Sequence, residues 1–338
     1  MLALTALMAV GGGIAVLIAE GSTSPTAWSR PGIAIAGGQD GGAGVSTALR
    51  PAARFATGLT VLRLIDRTRS IQLPDGQTVP RTLVTYVRYP ALGTPTGQDR
   101  PGAPAAHAEG PFPLIVFGHG FAVTPGLYAR LLRAWTAAGY VVAAPVFPLG
   151  NANAPGGPNE SDLPNQPADI RVVISGVLAA ARASSGRLSG LVAQRQIAVA
   201  GQSDGGDTAL AVAYDPRFRD PRVGAAMILS GAEIPGIGSF QIKAGGPPLL
   251  ATQGTADTIN LPNATAAFYE SAAGPKYLLA LLGASHLPPY SVPAPALTVV
   301  ERVTIAFLDH YLKHRPGSLH RLTNAGNVPG LATLTGTP

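Results

Sequence analysis

An apolar run at residues 197–200 leads directly into Gly201-Gln202-Ser203-Asp204-Gly205, and a helix-compatible run follows at residues 207–214. Four apolar residues in succession suit a strand buried on both faces. Strand, tight turn and helix are the setting in which a G-x-S-x-G pentapeptide has chemical meaning. The turn holds the serine in a strained conformation and exposes its hydroxyl above the C-terminal edge of a sheet, beside a helix N-terminus. Glycine at Gly201 and Gly205 lets strand and helix pass close to one another. In a chain with 42 glycines the pentapeptide alone also fits a plain Gly/Ser turn. The flanking elements favour the nucleophile.

The rest of the chain alternates in the same way. Strands are expected at residues 60–65, 82–89, 113–117, 140–145, 223–229, 248–252 and 277–282, and Pro74-Asp75-Gly76 marks a turn between the first two. Helices are expected at residues 128–138, 168–183, 264–272 and 297–313. Apolar inner strands alternating with helices predict an α/β fold, with a mostly parallel central sheet covered by helices on both faces. In such sheets the site lies at the C-terminal ends of the strands. Residues 92–111 and 151–166 read as loops, and the chain beyond Arg315 reads as loop-like. Residues 55–315 are therefore assigned to the catalytic domain and 316–338 to a C-terminal tail.

Residues 2–19 form an almost unbroken apolar run ended by Glu20. Its length is borderline for a spanning helix, and a basic segment before it is missing. Residues 1–20 are read as an export signal or membrane anchor, and residues 21–54, rich in Gly, Ser, Ala and Pro, as a flexible linker. The chain is accordingly expected to be secreted or exported, monomeric, and in contact with a membrane only through this segment if it is retained. The 24 basic and 18 acidic residues are scattered, which argues against nucleic acid as a partner. With no cysteine, disulfides, thiolate catalysis and cysteine-held metals are excluded.

A serine hydroxyl needs a general base, and the base needs an orienting acid. Of six histidines, His310, His314 and His320 lie in or after the last expected helix and His107 in a proline-rich loop. His119 precedes the serine, where the backbone should bind an oxyanion. His286 directly follows the last expected strand and is the expected base. Asp257, in Gly254-Thr255-Ala256-Asp257, follows the strand before it and is the expected acid, although an Asp there also suits a turn. The order Ser203, Asp257, His286 is that of the strand–turn–helix hydrolases. The oxyanion hole is assigned to the backbone N–H groups of Asp204 and Phe121. The 18 residues 230–247 must include any crossover helix, so no separate cap domain fits. An open cleft is expected, rimmed by Phe121 and residues 287–290. His119, Gly120, Gln202, Leu287 and Tyr290 are assigned to it.

These stretches, together with residues 112–121, 135–145 and 166–177, resemble the α/β-hydrolases. In particular the chain is similar to cutinase-like polyesterases and their lipase, chlorophyllase and platelet-activating-factor acetylhydrolase-like relatives. The resemblance spans about residues 60–312. It implies Ser203 as nucleophile, His286 as base, Asp257 as orienter, Phe121 and Asp204 as oxyanion donors, and no metal or organic cofactor. It departs from the polyesterases at Asp204, where they usually carry Met, and at Ser230-Gly231-Ala232, where they carry Trp; their C-terminal disulfide is impossible here. The expected function is a serine carboxylesterase or lipase acting on short to medium acyl esters, with polymers and lipids among its candidate substrates. An acyltransferase with the same three residues, and a non-catalytic hydrolase-fold binder, are the rival readings.

Overall fold

The computed structural model describes residues 6–7, 14–18, 54–233 and 246–338. Of the apolar run at residues 2–19, the described parts are two short strands, β1 (Ala6–Leu7) and β2 (Ile14–Ile18). The rest of that run, and residues 21–53 of the linker assigned to 21–54, lie outside the described residues. No helix among the described residues is long and apolar enough to cross a membrane.

The folded body opens with a long antiparallel hairpin, β3 (Ala56–Gln72) and β4 (Thr78–Ala91), turning at residues 74–76; β2 pairs with the outer edge of β3. The expected loop at residues 92–111 holds a short strand, β5 (Asp99–Pro101), paired with β3. Then come β6 (Phe112–Gly118), α1 (Ala129–Ala137), β7 (Val141–Pro145), α2 (Gln166–Arg182), β8 (Val192–Gln202) and α3 (Asp204–Tyr214). The second half comprises β9 (Val223–Leu229), β10 (Leu249–Gly254), α4 (Pro262–Ser271), β11 (Lys276–Leu281), α5 (Pro288–Ser291) and α6 (Pro295–Tyr311). All strands join one sheet, and β7-β6-β8-β9-β10-β11 form its parallel centre.

Alternation along the central strands places apolar side chains on both faces. Leu114, Val116, Ile197 and Val199 pack with α2, α3 and α4 on one side. Ile115, Phe117, Ala198 and Ala200 pack with α1 and α6 on the other. This two-sided burial explains why the inner strands read as continuous apolar runs.

The chain beyond Arg315 is not loop-like. It forms α7 (Ser318–Gly326) and β12 (Ala332–Thr337), which adds antiparallel to β11 and closes that edge of the sheet. β12 is threonine-rich and mostly outside the core, so it lacks the apolar run that marks a central strand.

The segment 151–166 is also more ordered than a plain loop. It ends in a 3₁₀ turn, Glu160–Asn165, and is pinned from below by Arg81. That guanidinium is buried and bonds both oxygens of Asp162 (2.8 and 2.6 Å) and both of Asp169 (2.7 and 2.6 Å). Two forked pairs join the β3–β4 hairpin to the start of α2.

Candidate active site

The turn between β8 and α3 has the strain expected of it. Ser203 sits at φ 55°, ψ −128°, in a region that non-glycine residues rarely occupy. A Cβ on Gly201 would lie 1.9 Å from the carbonyl oxygen of Gly205, and one on Gly205 would lie 2.1 Å from that of Gly118. Both positions therefore demand glycine, because β8, α3 and the end of β6 meet there. The Ser203 N–H is anchored to the carbonyl of Leu229 at 3.0 Å, leaving the side chain partly exposed above the sheet.

His286 and Asp257 arrive from the ends of β11 and β10. The Nδ1–H of His286 donates to Oδ2 of Asp257 at 2.8 Å. Asp257 is buried, and its carboxylate also accepts from the N–H groups of Ile259 (2.9 Å) and Asn260 (3.1 Å) and from the Gln253 amide (3.1 Å). The turn role and the orienting role fall on the same residue: its two oxygens serve them separately.

The partner of Nε2 was not legible in the sequence. It is the Gln202 side-chain amide, 3.2 Å away, which also reaches the His286 carbonyl at 3.2 Å. With Nδ1 donating to Asp257, Nε2 is an acceptor and the amide is its donor. The Gln202 carbonyl accepts from Tyr128 Oη–H at 2.7 Å, and Tyr128 Oη accepts from the Gly120 N–H at 3.3 Å. Among the described residues the Ser203 hydroxyl makes no hydrogen bond.

Phe121 and Asp204 flank Ser203, and neither backbone N–H donates to another residue among the described residues. The Phe121 N–H is thus free among the described residues, while the Asp204 N–H contacts its own carboxylate. The Asp204 side chain is 3 % exposed, and its Oδ2 has no partner. Burial, with the negative charge of Glu160 adding to it, pushes its carboxyl up to about 6. Asp207, one turn on, accepts a very short hydrogen bond from the Ala232 N–H, and burial drives its carboxyl well above the usual range.

Three of the residues assigned to the cleft are buried and have other tasks. His119 is 1 % exposed. Its Nε2 accepts the Phe147 N–H at 3.0 Å, so Nδ1 carries the proton and donates to the Gly120 carbonyl at 2.7 Å. Burial pushes its pKa down to about 4, against the smaller opposing pull of that carbonyl. His119 is therefore a neutral tie between the Gly120–Phe121 loop and the end of β7. Tyr290 is fully buried, its hydroxyl bonded to Ser230 and Thr252 at 2.9 and 3.0 Å. Its phenol satisfies polar groups beneath the site, which removes it from any rim. Gln202 is buried against His286 and Tyr128. Gly120 is buried beside Ser203, while Phe121 and Leu287 remain partly exposed. Of the stretch 230–247, where no cap domain is expected, residues 234–245 lie outside the described residues.

No group of three or more His, Asp or Glu able to hold a metal ion occurs among the described residues. Residues 103–225 match the family model for Chlorophyllase, a family of serine esterases of the α/β-hydrolase type. The match covers β6 through the start of β9 and includes the Ser203 turn. No curated protein matches the chain. The sheet order, the flanking helices and this match make the fold that of an α/β-hydrolase and the general class that of a serine ester hydrolase.

Proposed function

We propose that the protein is a serine carboxylesterase that works through an acyl-enzyme, with Ser203 as nucleophile, His286 as general base and Asp257 as the group that orients it. The observation that carries this reading is the strained Ser203 turn beside a His286 whose Nδ1–H is fixed on a buried carboxylate. Ser203 Oγ attacks the ester carbonyl carbon, and its proton passes to Nε2. The carbonyl oxygen becomes an oxyanion that accepts from the N–H groups of Phe121 and Asp204. His286 then gives the proton to the departing alcohol oxygen. Water repeats the cycle: it loses a proton to Nε2, attacks the acyl carbon, and releases the acid as Ser203 recovers its hydrogen. Asp257 keeps Nδ1 protonated throughout.

Before that cycle Nε2 must exchange the Gln202 amide for the Ser203 hydroxyl. Such contacts commonly tighten only when substrate binds. A neutral hydrogen bond contributes about 1 kcal/mol, so this exchange is a small barrier beside the chemical step.

Exposed apolar residues support an apolar acyl or polymer face. Leu127, on the segment after Phe121, is 41 % exposed; Ile259 and Leu261, just after Asp257, are 68 % and 53 % exposed. A surface groove covers only part of a chain, and each buried CH₂ contributes about 0.8 kcal/mol. The proposed preference is therefore for acyl chains of about two to eight carbons, with no jump in rate where substrate aggregates. A series of p-nitrophenyl esters of graded chain length tests this. Absence of hydrolysis across the series refutes the esterase; optimal rates on long chains, with a sharp rise at aggregation, refute the open groove.

A further inference from the structure

At the other end of the sheet from Ser203, a cavity of about 690 Å³ opens between α6, α7 and the segment that enters β3. An adjoining hollow of about 250 Å³ shares Arg54 and Arg315 with it and reaches Phe112, the first residue of β6. Ser203 stands beyond the last residues of β6 and β8. A seven-residue strand, about 20 Å at roughly 3.3 Å per residue, separates the two places. The cavity is thus distinct from the site described above.

Its walls are strongly basic. Arg302, Ile305 and Asp309 line it from one face of α6, Arg321 from α7, and Arg54 and Arg315 from the flanking chain. Four guanidinium groups face one carboxylate. Asp309 already accepts Tyr140 Oη–H at 2.8 Å and stands 3.5, 3.3 and 3.6 Å from Lys313, Arg315 and Arg321. The guanidinium groups of Arg54 and Arg302 make no hydrogen bond or ion pair among the described residues; that of Arg54 lies 5.1 Å from the centre of the Phe55 ring. Lys313 stands at the edge of the cluster, 3.5 Å from Asp309. Burial lowers its ammonium pKa to about 8, Asp309 opposes the fall, and Arg315 and Arg54 add to it.

Helix dipoles account for part of this arrangement only. Lys313 and Arg315 follow the C-terminus of α6, where cations are favoured. Arg302 is in the middle of α6, Arg54 is on no helix, and Arg321 is in the first turn of α7, where a cation is disfavoured. Arg321 also donates to the Ser318 hydroxyl at 2.7 Å and Arg315 to Asp309 at 3.3 Å, so the charges without a polar partner are those of Arg54 and Arg302. Like charges gathered without enough partners repel one another, and an anion placed among them removes that cost. Guanidinium forks match the paired oxygens of phosphate and carboxylate. Ile305 adds an apolar wall.

We infer that this cavity binds an amphiphilic oxyanion: a phosphate or carboxylate group held by Arg302, Arg54 and Arg321, on an apolar body that rests against Ile305. The inference does not depend on the esterase reading. Calorimetric titration of the full chain at low salt tests it, with octyl phosphate, octanoate and inorganic phosphate as probes. The expected result is saturable binding of octyl phosphate and octanoate, at least tenfold weaker in the Arg54→Gln/Arg302→Gln double variant. The variant's ester hydrolysis should match wild type and its melting temperature should not fall, because neither side chain has a hydrogen-bond partner to lose and two like charges are removed. Arg302→Lys, which keeps the charge without the fork, should fall between the two. Failure of both amphiphiles to bind, or equal binding by the double variant, overturns the site. Inorganic phosphate binding as tightly as octyl phosphate overturns the amphiphile in favour of the free ion.

Discussion

Asp204 sits beside the nucleophile with a carboxyl that costs the fold stability, and Asp204→Asn should return it. The carboxyl is pushed from the ordinary 3.8 to about 6, first by burial and then by Glu160. An acid with a raised folded pKa holds its proton in the folded chain while the unfolded chain has released it. Stability therefore falls as pH rises from about 4 to about 6 and levels off above that. The span from 3.8 to about 6, at about 1.4 kcal/mol per tenfold, amounts to about 3 kcal/mol. Asparagine keeps the shape and removes the charge, but its buried amide retains a cost of about 1 kcal/mol or more. The variant should then gain about 1–2 kcal/mol over wild type at pH 8, and the gain should vanish near pH 4. Urea unfolding of both proteins across pH 4–8 measures this. Because only the backbone N–H of Asp204 is assigned to the oxyanion, esterase activity should stay within roughly tenfold. A stability difference that is constant with pH, or a variant less stable than wild type at pH 8, refutes the reasoning.

His286→Ala should lose nearly as much kcat/KM as removal of Ser203, and Asp257→Asn at least about a hundredfold, through the wrong tautomer of His286; steady-state kinetics on a short p-nitrophenyl ester decide both. Gln202→Ala frees Nε2 of a competing donor, so Ser203 of the resting enzyme should react about fivefold faster with a small phosphonate, the worth of about 1 kcal/mol; a tenfold fall would show that the amide positions the ring instead. Arg81→Met leaves buried Asp162 without an ion-pair partner and Asp169 with Arg69 alone, and should cost about 3–5 kcal/mol in denaturant unfolding.

The parallel centre of the fold was legible because strands buried on both faces must be apolar throughout. β9 begins and ends at the residues where its apolar run does. Ser203, Asp257 and His286 stand out in the sequence because each follows a strand end, where such sheets place their chemistry, and the structure sets His286 Nδ1 2.8 Å from Asp257. β12 was not, since an edge strand covered on one side needs no apolar run. Gln202, His119 and Tyr290 were misjudged for a shared reason. Sequence places them near the site, but the hydrogen bonds between Gln202 and His286, between Phe147 and His119 and between Thr252 and Tyr290 span 28 to 84 residues. No local pattern encodes partners that distant.

The most direct test of the account is where a serine-directed organophosphonate reacts. Peptide mapping by mass spectrometry after complete inactivation should find one phosphonyl group, on Ser203, with no labelling of the Ser203→Ala variant, which should retain the fold by circular dichroism and have no esterase activity. Labelling at another residue, or hydrolysis that survives in Ser203→Ala, contradicts it.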